Sequence, residues 1–207
     1  MHTNRTRQFL SYLFIASGAV LLFLGARDYL GSQLGQTKAA REFTRSSTPA
    51  QPQTAAPNPD PPPQPGDTVA KLIIPRLDAQ LYVVEGDDTG ELRRVPGHIS
   101  GTAMPGGHGN CVIAGHRDTH FRVLKDIRKG DDIVLETRYG EYLYRVKSTG
   151  VISPRNNQPL RPTSHAELNL ITCYPFYYVG AAPKRFIVEA RLAAAVAGEN
   201  TSSVPPS

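Results

Sequence analysis

Eight prolines fall between Thr48 and Gly66, at positions 49, 52, 57, 59, 61, 62, 63 and 65. No helix or sheet ladder tolerates that density, because each ring fixes φ and removes a backbone donor. The favoured conformation is extended polyproline II, a semi-rigid spacer. The 207-residue chain is thereby divided before any other element is assigned. The part before the spacer is too short for a domain, and the part after it holds one of ordinary size.

Upstream, Phe9 to Ala26 runs 18 residues without a charge. As a helix this is about 27 Å long, enough to cross a bilayer core. Arg5 and Arg7 precede the run with no acid, which favours residues 1–8 in the cytoplasm and the rest of the chain outside. The expectation is a single-pass signal anchor over 9–26 in the cell membrane. A cleavable signal peptide is the rival, but the run is long for an h-region and no A-x-A-like site directly follows it. Residues 27–48 read as a short, weakly amphipathic juxtamembrane helix, so that 27–66 forms a stalk. A domain over 67–192 follows, then a small, polar tail at 193–207 that is expected to be disordered.

The formal charge of +5 raises the question of nucleic acid, and its distribution answers it. Residues 1–48 carry six Lys/Arg against two acids, while 67–192 carry 17 against 14. A domain so balanced offers no basic face for nucleic acid, and much of the excess sits beside the expected membrane.

Within the domain, short apolar or alternating runs bounded by glycine and proline predict strands at 71–75, 80–84, 110–114, 132–137, 141–147, 168–172 and 185–190. Arg138-Tyr139-Gly140 reads as a hairpin connection. His120 to Ile127 is the best helical segment. The pattern predicts a mainly β fold, a closed barrel or a sandwich with short helices.

Two cysteines cannot make a disulfide scaffold or a four-thiolate zinc site. Cys111 lies mid-strand and reads as a small core residue. Cys173 ends an apolar strand before Pro175, where a thiol can face a cleft on a fixed backbone. A Cys111–Cys173 disulfide is chemically allowed outside the cytoplasm but would consume that thiol. A nucleophilic cysteine needs a base and an oxyanion donor. Of six histidines, His116 is the candidate base, because it stands where a strand opens into a loop after Gly115, a residue that allows a tight turn. His98 and His108 read as exposed loop residues, and His165 lies in another loop. Cys111 and Cys173 form no C-x-x-C pair, so a zinc site is disfavoured and neither metal nor cofactor is expected.

Three motifs now come together: Gly115-His-Arg-Asp-Thr119, Leu170-Ile-Thr-Cys-Tyr-Pro175 and Pro183-Lys-Arg-Phe-Ile-Val188. Their order and strand-end placement resemble the sortase family of surface-protein transpeptidases over about residues 69–192, and class D sortases in particular. The resemblance implies a closed barrel of about eight strands. It implies that Cys173 attacks the threonine carbonyl of an LPxT-type sorting signal on a secreted protein, giving a thioacyl intermediate. It implies that His116 moves protons for the leaving and incoming amines, and that Arg185 stabilises the oxyanion. The acceptor would be an amine of peptidoglycan or pilin. Asp118, Thr172 and His120 are supporting candidates; His120 stands where the family more often has an aromatic. Tyr174, Phe176, Tyr177 and Tyr178 line the groove or pack the barrel. The loop Ser153 to His165 is expected to carry specificity. The same residues also fit a cysteine protease that uses water as acceptor, or a non-catalytic extracytoplasmic binding module. An L,D-transpeptidase is disfavoured, because Thr172-Cys173-Tyr174 lacks a Ser-x-Gly-Cys-like setting.

Overall fold

The structure, a computed structural model, describes residues 2–46, 61–87, 95–178 and 180–197. One helix, α1 (His2–Ser46), precedes eight strands: β1 (Thr68–Ile74), β2 (Ala79–Glu85), β3 (Gly97–His98), β4 (Asn110–Gly115), β5 (Asp132–Thr137), β6 (Gly140–Ile152), β7 (Glu167–Tyr174) and β8 (Lys184–Ala197). They close a barrel in the order β1-β2-β3-β4-β7-β8-β6-β5. The core is filled by the inward half of each alternation, such as Leu72 and Ile74 of β1, Cys111 and Ile113 of β4, and Leu168 and Leu170 of β7. Cys111 is 1% exposed, and burial raises its thiol pKa, as expected of a core residue. Both cysteines are free thiols.

Several boundaries differ from the sequence reading. α1 is one continuous helix where two segments were expected, about 67 Å long at 1.5 Å per residue. Helix-forming residues continue past Ala26, so the end of the apolar run is no helix end. Among the described residues no helical stretch is long and apolar enough to cross a membrane. The side chains at 9–11, 13 and 25 of the apolar run lie outside those residues. So does most of the proline-rich segment, 47–60, and so do 198–207. β8 runs five residues past the expected domain end, to Ala197, held by its pairing with β6 down to Gly140. β3 was not foreseen: two residues give no periodicity, and it exists only through pairing with β2 and β4. The expected helix at 120–127 is a tighter 3-10 helix over His120–Asp126.

α1 meets the barrel itself. Tyr82 of β2 lies beside Lys71 on one flank, while β3 begins pairing only at Val84. On this open edge Gln36 accepts from the Tyr82 N–H at 2.8 Å and donates to its carbonyl at 3.3 Å, capping an edge that would otherwise be unpaired. Ala39 is buried against Val84 and Val95, and Phe43 packs on the Tyr82 ring at 5.8 Å. The proline-rich segment therefore joins two elements already in contact.

Arg76, in the 3-10 turn Pro75–Leu77, clamps the start of β5. Its Nε and Nη2 each donate at 2.6 Å to the two oxygens of Asp131, which also accepts from the Arg128 N–H at 2.7 Å. The Arg76 hydrogen bonds hold the Asp131 carboxyl below the usual range. A depressed carboxyl stabilises the fold above its unfolded pKa and loses that contribution as pH falls through the folded value. Asp131→Asn should therefore lower the unfolding midpoint by a few degrees at neutral pH, for a loss of about 1 kcal/mol. The gap from the parent should close as pH drops well below 4. Melting both proteins across pH 2–7 checks the sign.

Candidate active site

The sheet register brings the three predicted site residues into one row. β4 and β7 run parallel, with Ala114 beside Ile171 and Gly115 beside Thr172. His116 and Cys173 therefore follow at the same level, at the C-terminal ends of adjacent strands. β7 and β8 run antiparallel, with Cys173 directly opposite Arg185. Side chains alternate along each strand, so the residues facing away from the core are Asn110, Val112 and Ala114 on β4, then Glu167, Asn169, Ile171 and Cys173 on β7, then Ile187 and Arg185 on β8.

One end of this outer face, Ala114, Ile171, Cys173, Ile187 and Arg185, is the floor of a groove of about 520 Å³. His116, Cys173 and Arg185 stand at one end. Ile171 and Ile187 form an apolar middle, and Ile152 at the end of β6, with Pro154, Pro159 and Leu160 of the β6–β7 loop, walls the far side. Arg185 donates from Nη1 to Cys173 Sγ at 3.1 Å. A guanidinium so placed puts a fixed positive charge and several donors beside the sulfur, where negative charge develops when a thiolate attacks a carbonyl.

The supporting candidates fall into place differently. Thr172, 2% exposed, donates from Oγ1 to the Gly115 carbonyl at 2.7 Å and so ties the β7 terminus to the residue before His116. Asp118, largely exposed, pairs with Arg117 at 3.3 Å. His120 opens the 3-10 helix with its ring buried. Gly115 is required for a reason other than a turn. A Cβ there would meet the Phe121 ring at 2.8 Å, so the glycine lets that helix close over the end of β4. The aromatics after Cys173 divide. Tyr174 and Phe176 pack on Phe186, while Tyr177 and Tyr178 are exposed and line a second hollow with Asp118 and Arg122.

The sortase-domain profile matches residues 72–193, more than half of the chain. The chain belongs to the sortase family. It is 39% identical over 128 residues to sortase D of Bacillus subtilis, a match covering 61% of this chain and 64% of that protein. A Clostridium perfringens sortase D5 transpeptidase shares the fold with a TM-score of 0.66 at 24% identity, covering 77% of this chain and 99% of the other. Sortase A from Corynebacterium diphtheriae gives 0.57 at 32% identity, covering 61% of each chain. The class D likeness seen in the motifs is thus borne out. The chain spans a little under two thirds of the Bacillus protein's length.

Two features of this sortase domain escaped sequence reasoning. Arg117, given no role in the sequence reading, is 6% exposed. Its Nη2 donates to the carbonyls of Tyr178 at 2.7 Å and Gly180 at 3.1 Å, fastening the loop between Cys173 and Arg185 to the segment that carries His116. His98, expected in an exposed loop, is 1% exposed in β3. Its ring bridges Glu85 Oε2 at 2.7 Å and the Ala103 carbonyl at 3.0 Å, and Ser100 donates to Glu85 at 2.7 Å. This buried network braces the wall of the groove that carries Ile99. A histidine among glycines and prolines carries no local sign of burial, because its carboxylate partner comes from β2.

Proposed function

We propose that this sortase is a membrane-anchored cysteine transpeptidase that cleaves an LPxT-type sorting signal after threonine and passes the protein to an amine. The observation that carries the reading is the row formed by His116, Cys173 and Arg185 at the end of an apolar-floored groove, with the guanidinium on the sulfur. The extended signal lies along the groove with its leucine and proline on Ile171 and Ile187, which delivers the threonine carbonyl to Cys173. The Cys173 thiolate attacks that carbonyl carbon, and Arg185 holds the oxygen as it becomes anionic. The tetrahedral species collapses to a thioester as the bond after threonine breaks, and His116 gives the leaving nitrogen its proton. An incoming amine then attacks the thioester, His116 takes its proton, and Cys173 leaves as thiolate.

The anchor rests on the uncharged run Phe9–Ala26 and the preceding Arg5 and Arg7, which favour a cytoplasmic N-terminus and an extracytoplasmic barrel. The acceptor is an amine of peptidoglycan or of a pilin. The full chain should convert an LPxT-type peptide plus a small primary amine into the amide of the threonine-ended fragment, read by product mass. A product that is always the free acid, even at high amine concentration, would assign the site to hydrolysis instead.

A further inference from the structure

The groove has a second determinant, remote from the chemistry, beneath its loop wall. Asn110, the first residue of β4, is 4% exposed and lies under the β6–β7 loop. Its amide nitrogen donates to the carbonyl of Pro159 at 2.7 Å and to that of Arg161 at 2.9 Å. Its oxygen accepts from Asn169 Nδ2 at 2.7 Å, and Asn169 is 2% exposed. Neither asparagine can turn its amide without stranding a buried donor or acceptor, so the pair is locked in one orientation.

These two bonds grip the 3-10 turn of the loop. The 3-10 turn Gln158–Leu160 presents Pro159 and Leu160 to the groove, and Asn110 holds the carbonyls on either side of Leu160. The turn's own bonds are the Leu160 N–H to the Asn157 carbonyl and the Arg161 N–H to the Gln158 carbonyl, each at 3.1 Å, and Pro159 sits at its start, where no N–H is needed. The C-terminal root of the loop is tied separately: Thr163 donates to the His165 carbonyl at 2.7 Å, and the His165 ring meets Glu167 at 2.7 Å. The middle of the loop is therefore positioned from below by β4, the same strand whose other end leads into His116.

We propose that Asn110 is a positioning residue that sets the wall of the sorting-signal site, and hence affinity and selectivity for the signal, without entering the chemistry. This rests on the transpeptidase reading above. The physical consequence is a split in the kinetics: losing the pin weakens binding of ground and transition states alike, which raises KM for the sorting peptide and leaves kcat near its parent value.

The test uses the full chain and two variants. Asn110→Asp turns two donors into a carboxylate that faces two carbonyls, and Asn110→Ser retains a single, shorter donor. Expected results are a rise in peptide KM of about tenfold or more, little change in kcat, and no change in KM for the amine. The second readout needs no activity: trypsin should cut after Arg155, in the exposed part of the loop, about tenfold faster in the variants, with the fragment read by mass. Arg161 precedes Pro162 and is resistant. If Asn110→Asp fails to fold, Asn110→Ser and Asn169→Ala report the same quantities. A folded variant cut at the parent rate overturns the pin. Faster cutting with unchanged KM overturns its role in recognition. Faster cutting in a chain that never processes a sorting peptide would sink the transpeptidase reading and leave the pin intact.

Discussion

Arg185→Lys should lower kcat for an LPxT-type peptide by about 10²- to 10³-fold, as loss of an oxyanion donor does elsewhere. The charge is kept, so the effect isolates geometry. Arg185 sits opposite Cys173 in the β7–β8 ladder and reaches the sulfur with one arm of its fork, at 3.1 Å. In the proposed mechanism the remaining donors serve the carbonyl oxygen as it becomes anionic. A lysine from the same position is a single mobile ammonium without that fixed fork. Its variant should keep the parent melting temperature, because the side chain lies in the groove and outside the core cluster. Steady-state peptide cleavage followed by chromatography measures it. A lysine variant within threefold of the parent would show that only the charge matters.

His116→Ala should cost about 10³-fold in kcat, within the range for loss of a positioned acid or base. The loss should depend on the leaving group. With an amide substrate the nitrogen must be protonated as the bond after threonine breaks, and the variant has no group to do so. A thioester analogue of the same peptide expels a thiolate that needs little help, so acylation of Cys173 should recover most of its rate. Comparing the two substrates in parent and variant separates acid catalysis from a structural role. Equal losses with both would mean that His116 shapes the site and does not donate the proton.

The fold was legible where alternation is regular and the partner strand is near in sequence. Asp132–Thr137 and the hairpin into β6 were read to within a residue at the turn, because Arg138 and Tyr139 connect strands in direct register. β6 and β8 were read short because bulges at Leu143/Tyr144 and Val146/Ser148 break the period of two on which the reading depends. Cys173 and His116 were legible as residues at strand ends, and the register explains why those ends meet. Arg117, Asn110 and His98 were not, because a polar side chain looks like surface unless its partners are known. Those partners are the carbonyls of Tyr178 and Pro159 and the carboxylate of Glu85 respectively, each distant in sequence from the residue it meets. The length of α1 was missed for a related reason. The apolar run marks what a helix is made of over part of its course, while Gln36 and Ala39 find their reason to be helical on the edge of β2.

The central claim is a covalent intermediate on Cys173, and it can be weighed. Mixing the full chain with an LPxT-type peptide in the absence of added amine, quenching in acid and taking the intact mass should show an adduct equal to the peptide fragment ending in threonine, less one water. Digestion should place it on Cys173, with the buried Cys111 unmodified, and a primary amine added before the quench should discharge it. Turnover without such an adduct, or an amide product still formed by Cys173→Ala, would contradict the account.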